Sequence, residues 1–414
     1  MQSPLPPRLL SLDLVRGAAL LGILLLNIVS FGMPEAAYFN PRAYGGWHGA
    51  DLAAWLVNFL FFDGRMRGLF SFLFGASLLI VTDAAEASGR DPARAHYARM
   101  AWLLLFGLAH LWLIWHGDIL AHYALVGMLA FPLRKLPIAH LIGLGAMLVL
   151  ASTAMFGMLA YDAWRMSLLP QLAQGGHASL VHTFGVPPPS RIAAELALHH
   201  GGYAGLVAQR FRDYATTPIA MLTLYGGETL GYMLFGMAAL RSGLLAGTWP
   251  RADYRRWWLY CWAITLPVYA LLALWLIAAK FSLFAVVMAA ATLPGLVRPL
   301  MILGWACLIL SIASDDGWIT RRVAAAGRMA FSNYLATSLL CVLIFDGYGL
   351  GWFGRLSRWQ LYPVVLGIWV LLLLWSRPWL VCFRYGPLEW LWRTLARGSL
   401  QPIRNNLANR SQLH

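Results

Sequence analysis

Long apolar runs, each close to the length that crosses a lipid bilayer, dominate this chain of 414 residues. A transmembrane helix needs roughly 20 mostly apolar residues. We therefore predict an all-α integral membrane protein with about ten transmembrane helices and a few short interfacial helices. The predicted membrane segments are residues 9–31, 67–83, 96–115, 117–132, 140–161, 218–240, 257–279, 282–313, 324–345 and 361–375.

The composition excludes soluble classes of protein. Hydrophobic residues make up 60% of the chain and charged residues 12%, whereas soluble domains carry about 25% charged residues. The four cysteines form no CxxC pair, so neither a zinc site nor a disulfide framework is indicated. The net charge of +14 comes mostly from arginines spaced between apolar segments. This pattern is more typical of topology signals than of nucleic-acid binding, so we expect no nucleic-acid partner.

The distribution of basic residues also predicts the topology. In a ten-helix arrangement most of them fall on one side, and short loops rich in Lys and Arg favour the cytoplasm. Both termini are therefore predicted to be cytoplasmic. The predicted regions are a five-helix membrane half at 1–160, an outward-facing helical cap at 161–217, a second five-helix half at 218–376, and a cytoplasmic amphipathic helix with a basic tail at 377–414.

Histidines in the predicted cap raise the question of a metal site. They are His177, His182, His199 and His200. Metal-binding motifs on helices usually pair two ligands at close spacing and add a third, and no such set is evident here. We therefore predict solvated loop histidines and no metal site.

Polar side chains inside the first predicted helix need a reason, because ionisable groups at membrane depth are costly unless they are paired or hydrated. Asp13 and Arg16 are three residues apart and share a helix face. They could line a polar cleft or form an ion pair that anchors the helix, and we favour the ion pair. Asn27 could make an interhelical hydrogen bond, or it could orient a catalytic group or a substrate carbonyl.

The densest polar group lies in the string AHLWLIWHGDILAHYALVG, which straddles a tight turn between two predicted helices. His110 and Asp118 could form a general-base pair, because a carboxylate fixes the tautomer of a histidine and raises its basicity. Asp118 could equally cap the helix that starts beside it. His116 and His122 are predicted to lie at the membrane interface.

A second polar group lies between the first two predicted helices. Arg65 and Arg67 would lie on the outer face, against the positive-inside bias, which makes them candidate binders of a phosphate or carboxylate. The alternative is a salt-bridge set with Asp63. His48 lies in the glycine-rich loop GGWHGAD, from which a base could reach a substrate, although spacing alone would leave it a surface histidine.

Several ordered motifs carry a resemblance to a known family. They are RLLSLDLVRGAALLGILLLNIVSFG, DGRMRGLFSFLFGAS, HLWLIWHGDILAHYALVG, GRMAFSNYLATSLL and FRYGPLEWLWR. Spread from about residue 8 to residue 398, they resemble the YeiB-like family of bacterial polytopic membrane proteins, a domain of unknown function. The resemblance implies a multi-pass protein of the bacterial inner membrane.

The first two predicted helices are more remotely similar to the transmembrane acyltransferase superfamily, which includes heparan-α-glucosaminide N-acetyltransferase. There, an LDxxRG-type opening precedes an Asn at the end of the first helix and a His in the next loop. The matching positions in this sequence are Asp13, Arg16, Gly17, Asn27 and His48. The resemblance implies transfer of an acyl group from cytoplasmic acyl-CoA, without a tightly bound cofactor, to an outward-facing hydroxyl or amine of a cell-envelope glycan or small molecule.

This resemblance assigns roles to the candidate residues. His48 or His110 would be the base, Asp118 would hold the histidine, and Asn27 would orient the substrate or donate to the developing oxyanion. Cytoplasmic arginines could also hold CoA phosphates. Membrane lipid and a second copy of the chain are further expected partners. The residues expected at the substrate and phosphate sites are Arg65, Arg67, Asp63, His116, Arg16 and Asp13.

A secondary transporter of a small solute is the rival hypothesis. The string GRM followed by FS occurs at 64–71 and again at 327–332, an internal echo of the kind that inverted-repeat transporters carry. The segment 282–313 contains Pro294 and Pro299, so we predict that it is kinked or broken. No Walker loop, GxSxG elbow or HExxH motif occurs, so ATP-driven pumping and serine hydrolysis have no sequence support.

Overall fold

The computed structural model describes residues 10–168, 178–314 and 317–405, and within these ranges it contains helices and loops but no strand. His177 lies outside the described residues. The first half contains helices α1 (Leu10–Gly32), α2 (Gly49–Val57), α3 (Arg65–Ala87), α4 (Pro92–Leu113), α5 (Leu120–Ala130) and α6 (Ile138–Leu168).

The rest of the chain contains a cap and a second set of helices. The cap consists of α7 (Ala178–Phe184), α8 (Pro189–His199) and α9 (Tyr203–Asp213). The second set is α10 (Thr217–Arg241), α11 (Arg251–Ala278), α12 (Leu283–Val286), α13 (Pro294–Ile312), α14 (Trp318–Arg328), α15 (Ala330–Phe345), α16 (Leu361–Cys382) and α17 (Pro387–Arg397).

Among the described residues, six helical segments are long and apolar enough to cross a membrane, and α14 with α15 adds a seventh if this bent pair is one span. The chain is therefore a multi-pass, all-α membrane protein. The predicted count of about ten is not reached by these criteria, because α5 has only 11 residues and α4 and α10 carry polar and charged side chains. The six segments are Leu10–Gly32, Gly49–Ala87, Ile138–Leu168, Arg251–Ala278, Pro294–Ile312 and Leu361–Cys382.

Helix α10 lies inside the bundle, where it packs against α3, α5 and α6. The contact with α3 is close because two glycines face the opposite backbone. A Cβ on Gly75 would lie 1.9 Å from the carbonyl oxygen of Met233, and one on Gly236 would lie 1.8 Å from that of Phe72. Small residues allow helices in membranes to approach in this way. An interior helix need not present an apolar face to lipid, so its lower hydropathy is consistent with its place in the fold.

Two predicted helices are interrupted. The break predicted in 282–313 is confirmed, because a π-helical turn (Val287–Thr292) separates α12 from α13. The single helix predicted at 324–345 is wrong, because α14 and α15 meet at 85°. The carboxylate of Glu389 explains this bend: it accepts hydrogen bonds from the backbone N–H groups of Phe331 (2.7 Å) and Ser332 (3.1 Å). Helix α15 thus starts afresh with its own cap.

The helix ends form two groups on opposite faces of the molecule. On the cap face, Phe31 at the end of α1 stacks on Trp115 after α4, with ring centroids 3.9 Å apart. Tyr203 of the cap also donates a hydrogen bond to the carbonyl of Leu113 there (2.8 Å). On the opposite face, Trp392 of α17 donates to the carbonyl of Arg99 near the start of α4 (2.9 Å). Helix α4 therefore runs from one face to the other.

Candidate functional site

A buried histidine–aspartate pair lies at the tight turn between α4 and α5. His110, on the last turn of α4, has its Nδ1 2.8 Å from Oδ1 of Asp118. The other carboxylate oxygen of Asp118 accepts a hydrogen bond from the backbone N–H of Ala121 (2.8 Å) in the first turn of α5. Asp118 therefore both caps a helix and orients a histidine, the two roles that the sequence left open.

The second ring nitrogen of His110, Nε2, determines which chemistry the pair could perform. A carboxylate bonded to Nδ1 favours the tautomer in which Nε2 carries the lone pair. Within the described part of the chain, Nε2 of His110 has no hydrogen-bond partner, although its side chain is fully buried. An unsatisfied buried nitrogen calls for a reason, and the capacity to accept a proton from a bound molecule supplies one.

Asn27 of α1 is connected to this pair through a shared neighbour, Tyr334 of α15. It lines a cavity of about 10 Å³ together with Tyr334 of α15, and the Tyr334 ring centroid lies 5.3 Å from that of His110. No described residue exchanges a hydrogen bond with the Asn27 amide. The cavity has room for about one water molecule. The remaining lining residues are Leu20, Ile23, Leu24, Phe31, Thr337 and Ser338.

His48 is the candidate base that the structure leaves apart. It is exposed at the start of α2, where its ring lies 4.1 Å from that of Trp47. Among the described residues, it makes no contact with His110 or Asn27. Of the four candidate catalytic residues, the structure therefore brings together His110 and Asp118, with Asn27 close by, and leaves His48 at the surface.

Arg65 and Arg67 are occupied by internal partners, so neither forms an open anion site. Arg67 pairs with Glu228 of α10 at 2.5 Å. Arg65 donates to the backbone carbonyl of Asp63, and its guanidinium lies 3.5 Å from the centroid of the Tyr269 ring. The salt-bridge alternative was therefore correct in kind, but Glu228 rather than Asp63 is the partner of Arg67.

Glu228 joins two arginines in what we call the central ion cluster, formed by Arg67, Glu228, Tyr232 and Arg298. One Glu228 oxygen accepts from Arg298 (2.5 Å) and from the Tyr232 hydroxyl (2.8 Å). Buried charges of this kind need partners, because desolvation is costly. The sequence analysis did not select Glu228. The signal that could have identified it is that Glu228 is the only acidic residue in the predicted segment 218–240.

His116 and His122 are not simple interfacial residues. His122 is buried between α5 and α10, with Nε2 2.9 Å from the hydroxyl of Thr229. His116 stacks on Tyr214 beneath the cap, with ring centroids 4.8 Å apart. Burial, followed by the nearby His199 and Arg210, lowers the pKa of His116 to about 3. Its ring is therefore neutral, so it offers no positive charge to a phosphate.

Asp13 and Arg16 form the predicted ion pair near the start of α1. Nη1 of Arg16 lies 2.9 Å from Oδ1 of Asp13, and Nη2 donates to the hydroxyl of Ser77 on α3 (3.0 Å). The pair thus ties α1 to α3 on the face opposite the cap. This geometry fits the anchoring role that the sequence favoured over a cleft wall.

The cap holds a second buried histidine–aspartate pair that sequence reasoning missed. Nδ1 of His199 lies 2.7 Å from Oδ1 of Asp346 at the end of α15. Arg210 approaches the other carboxylate oxygen at 3.7 Å. His200 bonds the carbonyl of Phe353 through Nε2 (2.8 Å). The prediction of solvated loop histidines is therefore wrong for His199, which is buried because the cap packs onto the end of the bundle, whereas His200 is exposed.

Among the described residues, no group of three or more His, Cys, Asp or Glu side chains has the arrangement of a metal site.

Comparison with known proteins identifies the family of this chain. A family model described as "Protein of unknown function (DUF418)" matches residues 239–399. The uncharacterized protein YeiB of Escherichia coli (strain K12) is 34% identical over 405 residues, which covers 95% of this chain and 98% of that protein. The uncharacterized protein YxaH of Bacillus subtilis (strain 168) is 29% identical over 416 residues, covering 95% of each chain. No solved structure matches. The chain belongs to the YeiB-like DUF418 family of membrane proteins.

Proposed function

We propose that this protein is a transmembrane acyltransferase that moves an acyl group from a cytoplasmic acyl-CoA to a hydroxyl or amine on the outer side of the membrane. The observation that carries the proposal is the His110–Asp118 pair, in which Nε2 of His110 is buried and has no hydrogen-bond partner in the part of the chain that the structure describes. A general base must combine a fixed tautomer with a free lone pair. The remote superfamily resemblance supports the same chemistry.

The reaction follows from the groups present. His110 Nε2 takes the proton of the acceptor as its oxygen or nitrogen attacks the thioester carbonyl. The N–H of the Asn27 amide donates to the oxyanion that develops on that carbonyl. When the intermediate collapses, the carbon–sulfur bond breaks and the leaving CoA sulfur takes the proton from His110. Asp118 stabilises the transient imidazolium, so the histidine ends the cycle neutral.

The cavity beside Asn27 is too small for a thioester, since it holds about one water. Under this proposal, α1 and α15 separate locally when the substrate enters. Tyr334, Thr337 and Ser338 lie on one face of α15 at helical spacing. A small displacement of that face would widen the cavity along its length without disturbing the His110–Asp118 turn.

We also propose that the chain crosses the bacterial inner membrane ten times, with both termini cytoplasmic. Helices α4, α5 and α10 would add three crossings to the six long apolar segments and to the bent pair α14–α15, counted as one span. Their lower hydropathy is compatible with this, because neighbouring helices cover α10 and α4 connects the two faces. The cap would then face outward.

The experiment uses purified protein in lipid vesicles with radiolabelled acyl-CoA and an extract of envelope glycans as acceptor. His110→Ala should reduce acyl transfer by at least about a hundredfold, the lower range for loss of a general base. His48→Ala is the matched control and should retain near-normal transfer. Equal transfer by wild type and His110→Ala, or absence of acyl-CoA turnover by the wild type with every acceptor fraction, would overturn the proposal.

The central ion cluster favours a second candidate, a secondary transporter of a small solute. Ionisable groups inside membrane helices often mark transport pathways, and Glu228 contacts both Arg67 and Arg298. In sealed vesicles, a transporter should move a solute or protons in response to an imposed gradient, and Glu228→Gln should abolish this flux. An acyltransferase should show no such flux while it turns over acyl-CoA.

A further inference from the structure

Beside His110 lies another buried polar atom without a partner among the described residues, the hydroxyl of Tyr334 on α15. The rings of Tyr334 and His110 contact each other, with centroids 5.3 Å apart and planes inclined by 56°. Nε2 of His110 and the Tyr334 hydroxyl would satisfy each other in a direct hydrogen bond, and the structure does not form it. Two neighbouring buried groups that both lack a partner call for a common reason.

These two atoms are complementary in kind. Because Asp118 holds Nδ1 of His110 (2.8 Å), the second ring nitrogen, Nε2, is an acceptor. A tyrosine hydroxyl both donates and accepts. The backbone N–H of Ile119, in the turn that holds Asp118, approaches the Tyr334 oxygen without completing a hydrogen bond. Since an N–H group only donates, the hydrogen of the Tyr334 hydroxyl still has no acceptor within the described ranges.

The surroundings of Tyr334 suit a neutral ligand. All eight residues that line the cavity beside it are uncharged. Both oxygens of Asp118 are already engaged, one by His110 and the other by the backbone N–H of Ala121. A typical aliphatic amine is an ammonium ion at neutral pH, and burial of such an ion without a carboxylate partner is costly. A neutral hydroxyl group avoids this cost.

We infer that the acceptor of acyl transfer is a hydroxyl compound rather than an amine, and that its reacting hydroxyl binds between His110 and Tyr334. The inference rests on the proposed function. The acceptor O–H donates to Nε2 of His110, one lone pair of its oxygen accepts from Tyr334, and the second lone pair attacks the thioester carbonyl. A neutral amine has one lone pair, so a hydrogen bond from Tyr334 would occupy the electrons needed for attack.

The step balances without a further reactant. The acceptor oxygen forms an ester bond to the carbonyl carbon, its proton passes to Nε2 of His110, and the carbon–sulfur bond breaks. The sulfur leaves as a thiol with the proton from His110. Tyr334 keeps its own proton throughout and orients the acceptor beside the base. Loss of its hydroxyl should therefore weaken acceptor binding and leave the binding of acyl-CoA unchanged.

The first test identifies the bond that is formed. Wild-type protein in lipid vesicles receives radiolabelled acyl-CoA and an envelope glycan extract, either untreated or treated with aqueous acetic anhydride to block free amines. The labelled products are then exposed to alkaline hydroxylamine, which cleaves esters and leaves amides intact. We expect the amine-blocked extract to accept as much label as the untreated one, and hydroxylamine to release that label.

The second test removes the hydroxyl of Tyr334 and keeps its ring. Tyr334→Phe should lower kcat/KM for the acceptor by about tenfold, the effect of one lost hydrogen bond to the substrate. The KM for acyl-CoA should not change. Tyr123→Phe is the matched control, because the Tyr123 hydroxyl bonds Ser71 (2.9 Å) and the carbonyl of Arg67 (3.0 Å). It removes a buried hydroxyl elsewhere and should retain the kinetics of the wild type.

The outcomes separate this inference from the proposed function. A product that resists hydroxylamine, or transfer that disappears when amines are blocked, would overturn the hydroxyl acceptor while acyl transfer that depends on His110 still stood. Equal acceptor kinetics in Tyr334→Phe and Tyr123→Phe would overturn the role of Tyr334. Absence of transfer to every fraction would overturn the proposed function, and the inference with it.

Discussion

Two buried histidine–aspartate pairs lie on the cap side of this molecule, and their surroundings give them different capacities. In both, the histidine Nδ1 bonds the carboxylate, at 2.8 Å for His110–Asp118 and 2.7 Å for His199–Asp346. In the first pair, Nε2 has no hydrogen-bond partner among the described residues, and the His110 ring contacts Tyr334, which lines a small cavity. In the second, the His199 ring lies flat on Phe353, with centroids 3.8 Å apart.

The carboxylates differ as well. Asp118 uses its second oxygen to cap α5, a local contact that fixes its geometry without adding a positive charge. Asp346 faces Arg210 of the cap, so the pair joins α9 and α8 to the end of α15. The same two side chains thus form a candidate base in one place and a structural clasp in the other. The two pairs differ in the aromatic ring that the imidazole contacts, Tyr334 or Phe353, and in the partner of the carboxylate's second oxygen, a backbone N–H or Arg210.

The largest expected difference between the pairs is in activity. In Asp118→Asn, the amide oxygen can still accept from Ala121, but the amide N–H₂ would then face His110 and favour the tautomer whose Nε2 carries a proton. Acyl transfer should fall by about a hundredfold to ten-thousandfold, as expected when a general base is lost. Asp346→Asn should leave the rate per folded molecule within about threefold, an allowance for indirect effects. The measurement is labelled acyl transfer in vesicles, and similar losses in both variants would contradict the distinction.

Stability should show the opposite order. Asp346→Ala leaves Arg210 buried without its carboxylate, and breaking a buried pair in this way costs about 3 kcal/mol. Asp118→Ala loses a cap and a hydrogen bond, which together cost about 2 kcal/mol. Thermal unfolding in detergent should therefore give the lower midpoint for Asp346→Ala, and limited proteolysis should cut its cap first. A lower midpoint for Asp118→Ala would refute the clasp role of Asp346.

Substitution of Asn27 tests whether the cavity and the His110–Asp118 pair serve the same reaction. Removal of one oxyanion donor costs about a hundredfold in rate where the donor is well placed, and we expect between tenfold and a hundredfold for Asn27→Ala because the cavity must widen first. Thr337→Val is the control, since it changes the same lining without removing an amide. Acyl transfer that responds equally to the two changes would show that cavity shape, rather than the Asn27 amide, matters.

The local part of this site was predictable from the sequence, and the long-range part was not. His110 and Asp118 are eight residues apart around a tight turn, so the string itself placed them together. The partners of Arg67 and His199 are 161 and 147 residues away, and no periodicity links such positions. Apolar runs likewise predicted most helices, but the bend at Met329 depends on Glu389, a cap supplied from a distant helix.

The smallest expected effect concerns the pH dependence of the cap. Burial, opposed by a hydrogen bond from the backbone of Glu35, raises the pKa of Glu195 on α8 from 4.5 to about 7. The folded state therefore holds a proton that the unfolded state releases between pH 4.5 and 7, so the free energy of unfolding should fall as the pH rises through this range. We expect about 1 kcal/mol after allowance for partial exposure.

Glu195→Gln should remove this slope, since the neutral amide mimics the protonated acid at every pH. The measurement is thermal unfolding of the detergent-solubilised protein at pH 5 and pH 8, with labelled acyl transfer followed in parallel. Wild type should lose stability at pH 8 and the variant should not, while the difference in transfer between His110→Ala and wild type persists at both. If the slope survived in Glu195→Gln, another group would be titrating, and the cap's pH response would not belong to this carboxyl.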